Sequence, residues 1–243
     1  MRKRALLTLV LLFLATFATA CGSQQTTTTT PEPEPEPEET AMVRFVHAIP
    51  DAQSADFSFA GETLAETVPY QGWSEWIEVP AGEQELAVRA GEMTLLSDVH
   101  NFAADERYLI VAYGSLSVVG GEMAATFLYV EDENVEENEE DVWVRFVNVV
   151  TDGDPYGLAF TTGGSFSLLF PNQGVGSASE YKRGPVYDQE LQIIPASNTS
   201  LPPVHEFNQN LQIGIMYTFI AAGRVGNDTL TVIAVTDHQS LRD

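Results

Sequence analysis

Beyond residue 41, apolar and polar positions alternate in short runs that stop at turn residues. "VRFVHAI" (43–49), "DFSFAG" (56–61), "EWIEVPAG" (75–82), "ELAVRAG" (85–91), "RYLIVAYG" (107–114) and "ATFLYV" (125–130) are rich in β-branched and aromatic residues, with Gly, Pro or Asp at or near most of their ends. Runs punctuated in this way are the pattern of strands in a sandwich or barrel. In "QELAVRA" (84–90), Leu86 and Val88 fall on one face of a strand while Glu85, Ala87 and Arg89 fall on the other, because successive side chains point to opposite sides. No window sustains the 3.6-residue period of an amphipathic helix. An all-β chain is predicted.

The same order of runs occurs twice. "VRFVHA" (43–48) matches "VRFVNV" (144–149), and "QG" (71–72) matches "QG" (173–174). "SEW" (74–76) matches "SEY" (179–181), Pro80 matches Pro185, and "QEL" (84–86) matches "QEL" (189–191). "VHNF" (99–102) then matches "VHEF" (204–207), and "YLIVAYG" (108–114) matches "YTFIAAG" (217–223). Self-similarity at one long period is a signature of repeated units. The offset between copies grows at turn-like places, where insertions are tolerated. Two tandem antiparallel β-sandwiches are expected, at 42–131 and 142–243.

What precedes them is of another kind. Met1-Arg2-Lys3-Arg4 is followed by an apolar stretch over 5–20 that closes on Ala18-Thr19-Ala20. A basic start, an apolar run and small residues at the boundary read as a secretory signal peptide. An uncleaved anchor helix is the alternative, but the run is shorter than the roughly 20 residues that span a bilayer. Cys21 is the only cysteine, so an exported chain could not use it for an internal disulfide. Ala18-Thr19-Ala20-Cys21 resembles the lipobox of bacterial lipoproteins, which implies cleavage before a lipid-modified Cys21 and attachment to a membrane. Residues 22–40 hold five threonines in a row and then Pro-Glu four times. Proline fixes φ and donates no hydrogen bond, and like charges repel, so 21–41 reads as a lipidated cysteine on a disordered stalk. Ten residues of such a stalk in polyproline II reach roughly 30 Å.

Charge narrows the partners. The chain has 35 acidic residues against 11 Lys and Arg, a net charge of −24. That balance argues against nucleic acid, whose phosphates need basic neutralisation, and against direct adhesion to anionic lipid. "EDENVEENEED" (131–141) places eight carboxylates in eleven residues. It reads as a solvated acidic linker over 132–141, since the calcium-loop spacing with its central glycine is missing.

The first copy, "VRFVHAIPDAQSADFSFAG…VPYQGWSEWIEVPAGEQELAVRAG…YLIVAYG", resembles the bacterial and archaeal domain-of-unknown-function family 4397. Arg44, His47, Pro50, Asp51 and Pro80-Ala81-Gly82 carry the likeness; the second copy keeps Arg145 and Tyr217-Thr218…Gly223, has Asn148 for the histidine and lacks the Pro-Asp pair. The resemblance implies immunoglobulin-like sandwiches and supplies no catalytic residue.

Candidate chemistry is sparse. His47 and Asp51 make a conceivable pair, but nucleophilic catalysis also needs a serine or cysteine beside the histidine, and the Gly-x-Ser-x-Gly elbow is missing. A histidine capping its turn through Asp51 is the preferred reading. His100 and His205 match one another without the three or four ligands zinc requires. Asp152-Gly153-Asp154 reads as a turn rather than a calcium ligand set. Arg44 and Arg145 share strand faces with Val46 and Val147, and a buried arginine wants a carboxylate; Glu75 and Glu180, or Glu85 and Glu190, are the matched candidates. Tyr70, Trp73 and Trp76 are the binding candidates, because exposed aromatics stack on sugars or anchor a protein partner. The second copy has Val175 and Tyr181 in place of the tryptophans. Together these features describe a non-enzymatic lipoprotein of the cell surface or envelope, without cofactor or metal, that presents two modules to an extracellular partner. Carbohydrate or cell-wall-polymer binding through the three aromatics is the alternative.

Overall fold

The computed structural model describes residues 39–116, 124–132, 140–153, 155–162, 165–226 and 228–238. The leader, Cys21, the stalk before Glu39 and residues 133–139 of the acidic tract lie outside them. One compact unit, Glu38–Asp243, contains both predicted sandwiches, and every regular element among the described residues is a strand.

The first sandwich comprises β1 (Thr40–Ala48), β2 (Ser54–Phe59), β3 (Glu62–Pro69), β4 (Ile77–Pro80), β5 (Gly82–Ala90), β6 (Met93–Phe102), β7 (Arg107–Tyr113) and β8 (Thr126–Glu131). The second comprises β9 (Trp143–Val150), β10 (Tyr156–Thr162), β11 (Ser165–Gln173), β12 (Ser177–Ala178), β13 (Lys182–Arg183), β14 (Tyr187–Pro195), β15 (His205–Leu211), β16 (Ile215–Gly223) and β17 (Thr231–His238). In the first, one sheet has the order β4-β1-β7-β8 and the other β3-β2-β5-β6. In the second, β12-β9-β16-β17 (with β13 also on β9) and β11-β10-β14-β15 have the same order. All pairs are antiparallel except β1 with β7 and β9 with β16, which are parallel. The strand pattern did not contain that exception, because period-two alternation is blind to strand direction.

Each sandwich has its own core. Phe45, Phe57, Leu86, Val88, Phe102 and Ile110 fill the first, and Phe146, Leu158, Leu191, Ile193 and Phe219 fill the second. Leu86 and Val88 therefore face inward as their alternation predicts. A third apolar cluster lies between the sandwiches. It joins Val46, Leu109, Val111 and Val130 to Val147, Ile220, Ile233 and Val235. Strands β1, β7, β9 and β16 are thus covered on both faces, which is why they read as near-continuous apolar runs, as strands buried on both sides do. The sheet of β1 and the sheet of β9 meet face to face along this seam.

Local turn chemistry sets the registers. β2 and β3 are joined through Ala60 and Gly61, both at positive φ (50° and 84°), the twist that two-residue hairpins favour. Gly114 closes β7 at φ 102°. A Cβ there would meet the backbone oxygen of Ala124 at 2.6 Å, so only glycine lets the chain pass.

Candidate functional site

The strongest chemistry of the chain converges on the seam. Arg44 on β1 and Arg145 on β9 point into it beside Val46 and Val147 and are only 5% and 3% exposed. Burying a guanidinium requires a partner, and each arginine finds one across the seam. Arg145 Nη2 lies 3.2 Å from Asp132, which follows the last strand of the first sandwich. Arg44 Nη1 donates to the Thr236 backbone oxygen at 3.2 Å and lies 3.9 Å from Asp237 in the second sandwich. Reciprocally, Arg145 Nη1 donates to the Glu131 backbone oxygen at 3.4 Å.

The two carboxylates hold corresponding positions. Asp132 N–H donates to the Arg107 backbone oxygen, and Asp237 pairs with Met216; Arg107 and Met216 each precede the matching tyrosines Tyr108 and Tyr217. Aromatic rings complete the pattern. Arg44 lies 4.7 Å from the Trp76 ring centre, and Arg145 lies 4.4 Å from that of Tyr181. Trp76 Nε1 donates to Asp237 at 2.8 Å, and the Tyr181 hydroxyl to Asp132 at 3.4 Å. Each sandwich therefore gives the other an aspartate and a carbonyl oxygen and receives an arginine and an aromatic ring, the reciprocity of an isologous interface.

This arrangement changes several expectations. Asp132 is buried, not solvated, although it stands in the acidic tract, because a charge that meets Arg145 is compensated. Asp141, at the other end of the tract, pairs with Arg183 at 2.9 Å. Glu75 does approach Arg44, at 3.9 Å, but its side chain is 95% exposed; the carboxylates within the seam are Asp132, which is buried, and Asp237, which is largely covered. A sequence signal for them exists in "TFLYVED" (126–132) against "TVIAVTD" (231–237), which share the threonine, a valine and the closing aspartate.

Of the three candidate aromatics, Trp76 is enclosed in the seam between Arg44 and Arg107 rather than offered to a ligand. Tyr70 is half-buried and meets the His47 ring edge-on at 6.1 Å. Trp73 bridges to Val46 and keeps 41% of its surface exposed. The position matching it in the second sandwich is Ala178, which pairs with Val147, not Val175. The structure thus separates the set.

The His47–Asp51 pair does not form. His47 Nδ1 accepts from Ile49 N–H at 3.4 Å and its Nε2 meets the Ala52 carbonyl at 3.0 Å. Asp51 instead accepts from the Ser115 hydroxyl and Leu116 N–H, tying down the chain after β7. Asp152 does the same for Val225 and Gly226 in the second sandwich, so the aspartate of the missing Pro-Asp pair is present there without its proline. Burial holds the His47 imidazole below its ordinary pKa against the pull of the Ala52 carbonyl. His100 stacks on Tyr129 at 3.8 Å, whose hydroxyl donates to Asp98 at 3.0 Å; burial likewise lowers its pKa. His205 lies beside Phe207. Among the described residues no group of three or more His, Cys, Asp or Glu is placed to hold a metal.

Comparison with known proteins matches one family model to part of the chain and gives no activity. No curated protein matches it. Two solved structures align with 8% identity each. One, described as alpha-glucan binding by a streptococcal virulence factor, covers 78% of this chain and 95% of its own at a TM-score of 0.25. The other, the CBMbc module (family CBM26) from Eubacterium rectale Amy13K in complex with maltoheptaose, covers 82% and 99% at 0.23. Those scores are too low for any ligand to follow from them. The match that holds is to the family model described as Domain of unknown function (DUF4397), over residues 41–155, which takes in all of the first sandwich and β9. Residues 41–155 are thus similar to the DUF4397 family.

Proposed function

We propose that this chain is an exported, lipid-anchored, non-enzymatic protein of the cell surface or envelope, in which two copies of one domain act as a single body presented to an extracellular partner. The observation that carries the reading is the seam. Trp76, Tyr181, both buried arginines, Asp132 and Asp237 are spent on joining the two sandwiches. His47 is likewise occupied with its own turn. The side chains best suited to chemistry therefore serve the fold, and surface loops remain for recognition. Anchorage rests on Cys21 at the end of the apolar leader. The test is fractionation of cells carrying Cys21→Ala: the variant is expected in the soluble exported fraction, and a variant that still sediments with membranes defeats the anchor.

A second reading, binding of a glycan or cell-wall polymer, draws support from the exposed ring of Trp73. On this reading Trp73→Ala loses retention on a polysaccharide column while keeping its melting temperature. Unchanged retention removes it.

A further inference from the structure

The two halves of the seam are unequal in a way that leaves one charge under-compensated. Arg145 has its carboxylate at 3.2 Å, and its Nε donates to Thr218 Oγ1 at 3.3 Å. Beside Arg44 the position of Thr218 is taken by Leu109: β1 pairs Arg44 with Leu109 as β9 pairs Arg145 with Thr218. Leucine accepts nothing, and Arg44 Nε is buried without a hydrogen-bond partner among the described residues. The carboxylate that corresponds to Asp132 is also drawn elsewhere. Asp237 receives Trp76 Nε1 at 2.8 Å and Arg107 Nη2 at 3.2 Å, and stands 3.9 Å from Arg44. The second sandwich has Met216 where the first has Arg107. Three guanidinium groups thus share the buried Asp132 and the largely covered Asp237, and the remaining neighbour, Glu75, stands 3.9 Å from Arg44 with its side chain in water. Arg44, Arg145, Asp132, Asp237, Leu109 and Thr218 are among the residues lining a cavity of about 10 Å³.

We propose that this cavity is a binding site for one small monovalent anion, of which chloride is the simplest, held through Arg44 Nε–H. A water molecule of that size would supply the missing acceptor. An anion supplies the acceptor and also balances the third guanidinium, and buried charges are stable only when compensated. The carboxylates on the cavity wall do not oppose it strongly, because Asp132 is paired to Arg145 and Asp237 to Arg107. Burial lowers the Arg44 pKa despite its acidic neighbours, in keeping with a cation short of compensation.

The test is the thermal unfolding of the full chain in detergent, titrated with sodium chloride or sodium gluconate at one fixed ionic strength. A ligand bound only by the folded state raises the melting temperature with its concentration. A chloride-specific rise, reproduced by bromide, is expected. It should disappear in Arg107→Met, which installs the residue of the second sandwich and frees Asp237 for Arg44. Should that variant not fold, Leu109→Thr gives Arg44 Nε the acceptor that Arg145 already has and should reduce the effect in the same way. Equal melting temperatures in the two salts, or a chloride effect undiminished in the folded variant, overturns the site.

Discussion

At position 47 the first sandwich uses a histidine where the second uses Asn148, and the two side chains perform one task. Asn148 Oδ1 accepts from Val150 N–H at 3.0 Å, as His47 Nδ1 accepts from Ile49 N–H, and Asn148 Nδ2 donates to the Gln173 carbonyl at 2.9 Å. Only the histidine titrates. Because Nδ1 accepts, the neutral form is the one that fits, and protonation would cost the Ile49 bond. The folded pKa lies below the ordinary value of about 6.5. His47 therefore contributes stability fully above that value, and the contribution is lost as pH falls below it towards the folded pKa. His100, shifted the same way, acts in the same window. His47→Asn should lower stability at pH 7.5 by about 1 kcal/mol, because the smaller side chain leaves a void beside Phe57 and Tyr70. It should also flatten the decline between pH 6.5 and 5, where each proton taken up on unfolding costs about 1.4 kcal/mol per pH unit. Urea unfolding across that range reads both effects, and an unchanged slope would refute the role given to His47.

At the scale of elements, the strands were legible because their physics is local. β-branched runs, turn residues and the face of Leu86 and Val88 are all written within a few positions of one another. The hairpin strand β3, with its sequence Glu62–Pro69 rich in glutamate and threonine, offers a weaker signal, since most of its side chains face water. The partners of Arg44 and Arg145 were not legible for the opposite reason. Arg44 is tied to Asp237 and Arg145 to Asp132 across the seam, and pairing within one sandwich is the natural first reading of a lone buried arginine. Asp132 was further hidden by its charged neighbours, which make the whole tract look solvated. Trp76 looked available because an aromatic ring outside a clear alternation resembles a binding residue as much as a packing one. What distinguishes the two is the second sheet that covers it, and that sheet is more than a hundred residues away.

At the scale of the molecule, the seam should make two sandwiches unfold as one. Asp132→Ala removes the partner of an arginine that is almost wholly buried, and breaking a buried pair from one side costs about 3–5 kcal/mol. Chemical unfolding of this variant should show that loss, and a wild-type single transition should split in two as the sandwiches uncouple. A loss below 1 kcal/mol would mean that the apolar part of the seam suffices. The register of the strands has a mechanical consequence as well. In the first sandwich β1 starts, β7 begins and β8 ends at one pole, by the pairs Met42–Arg107 and Tyr108–Glu131, and the contacts Arg145–Asp132 and Arg44–Thr236 bring the start of β9 and the end of β17 to the same side. A pull on Thr40 against a load gripped at the far loops would run along β1, not across it. Its seven paired positions with β7 and four with β4 would then be sheared together instead of opening one after another, so the first strand of the sandwiches is also the one built to carry tension.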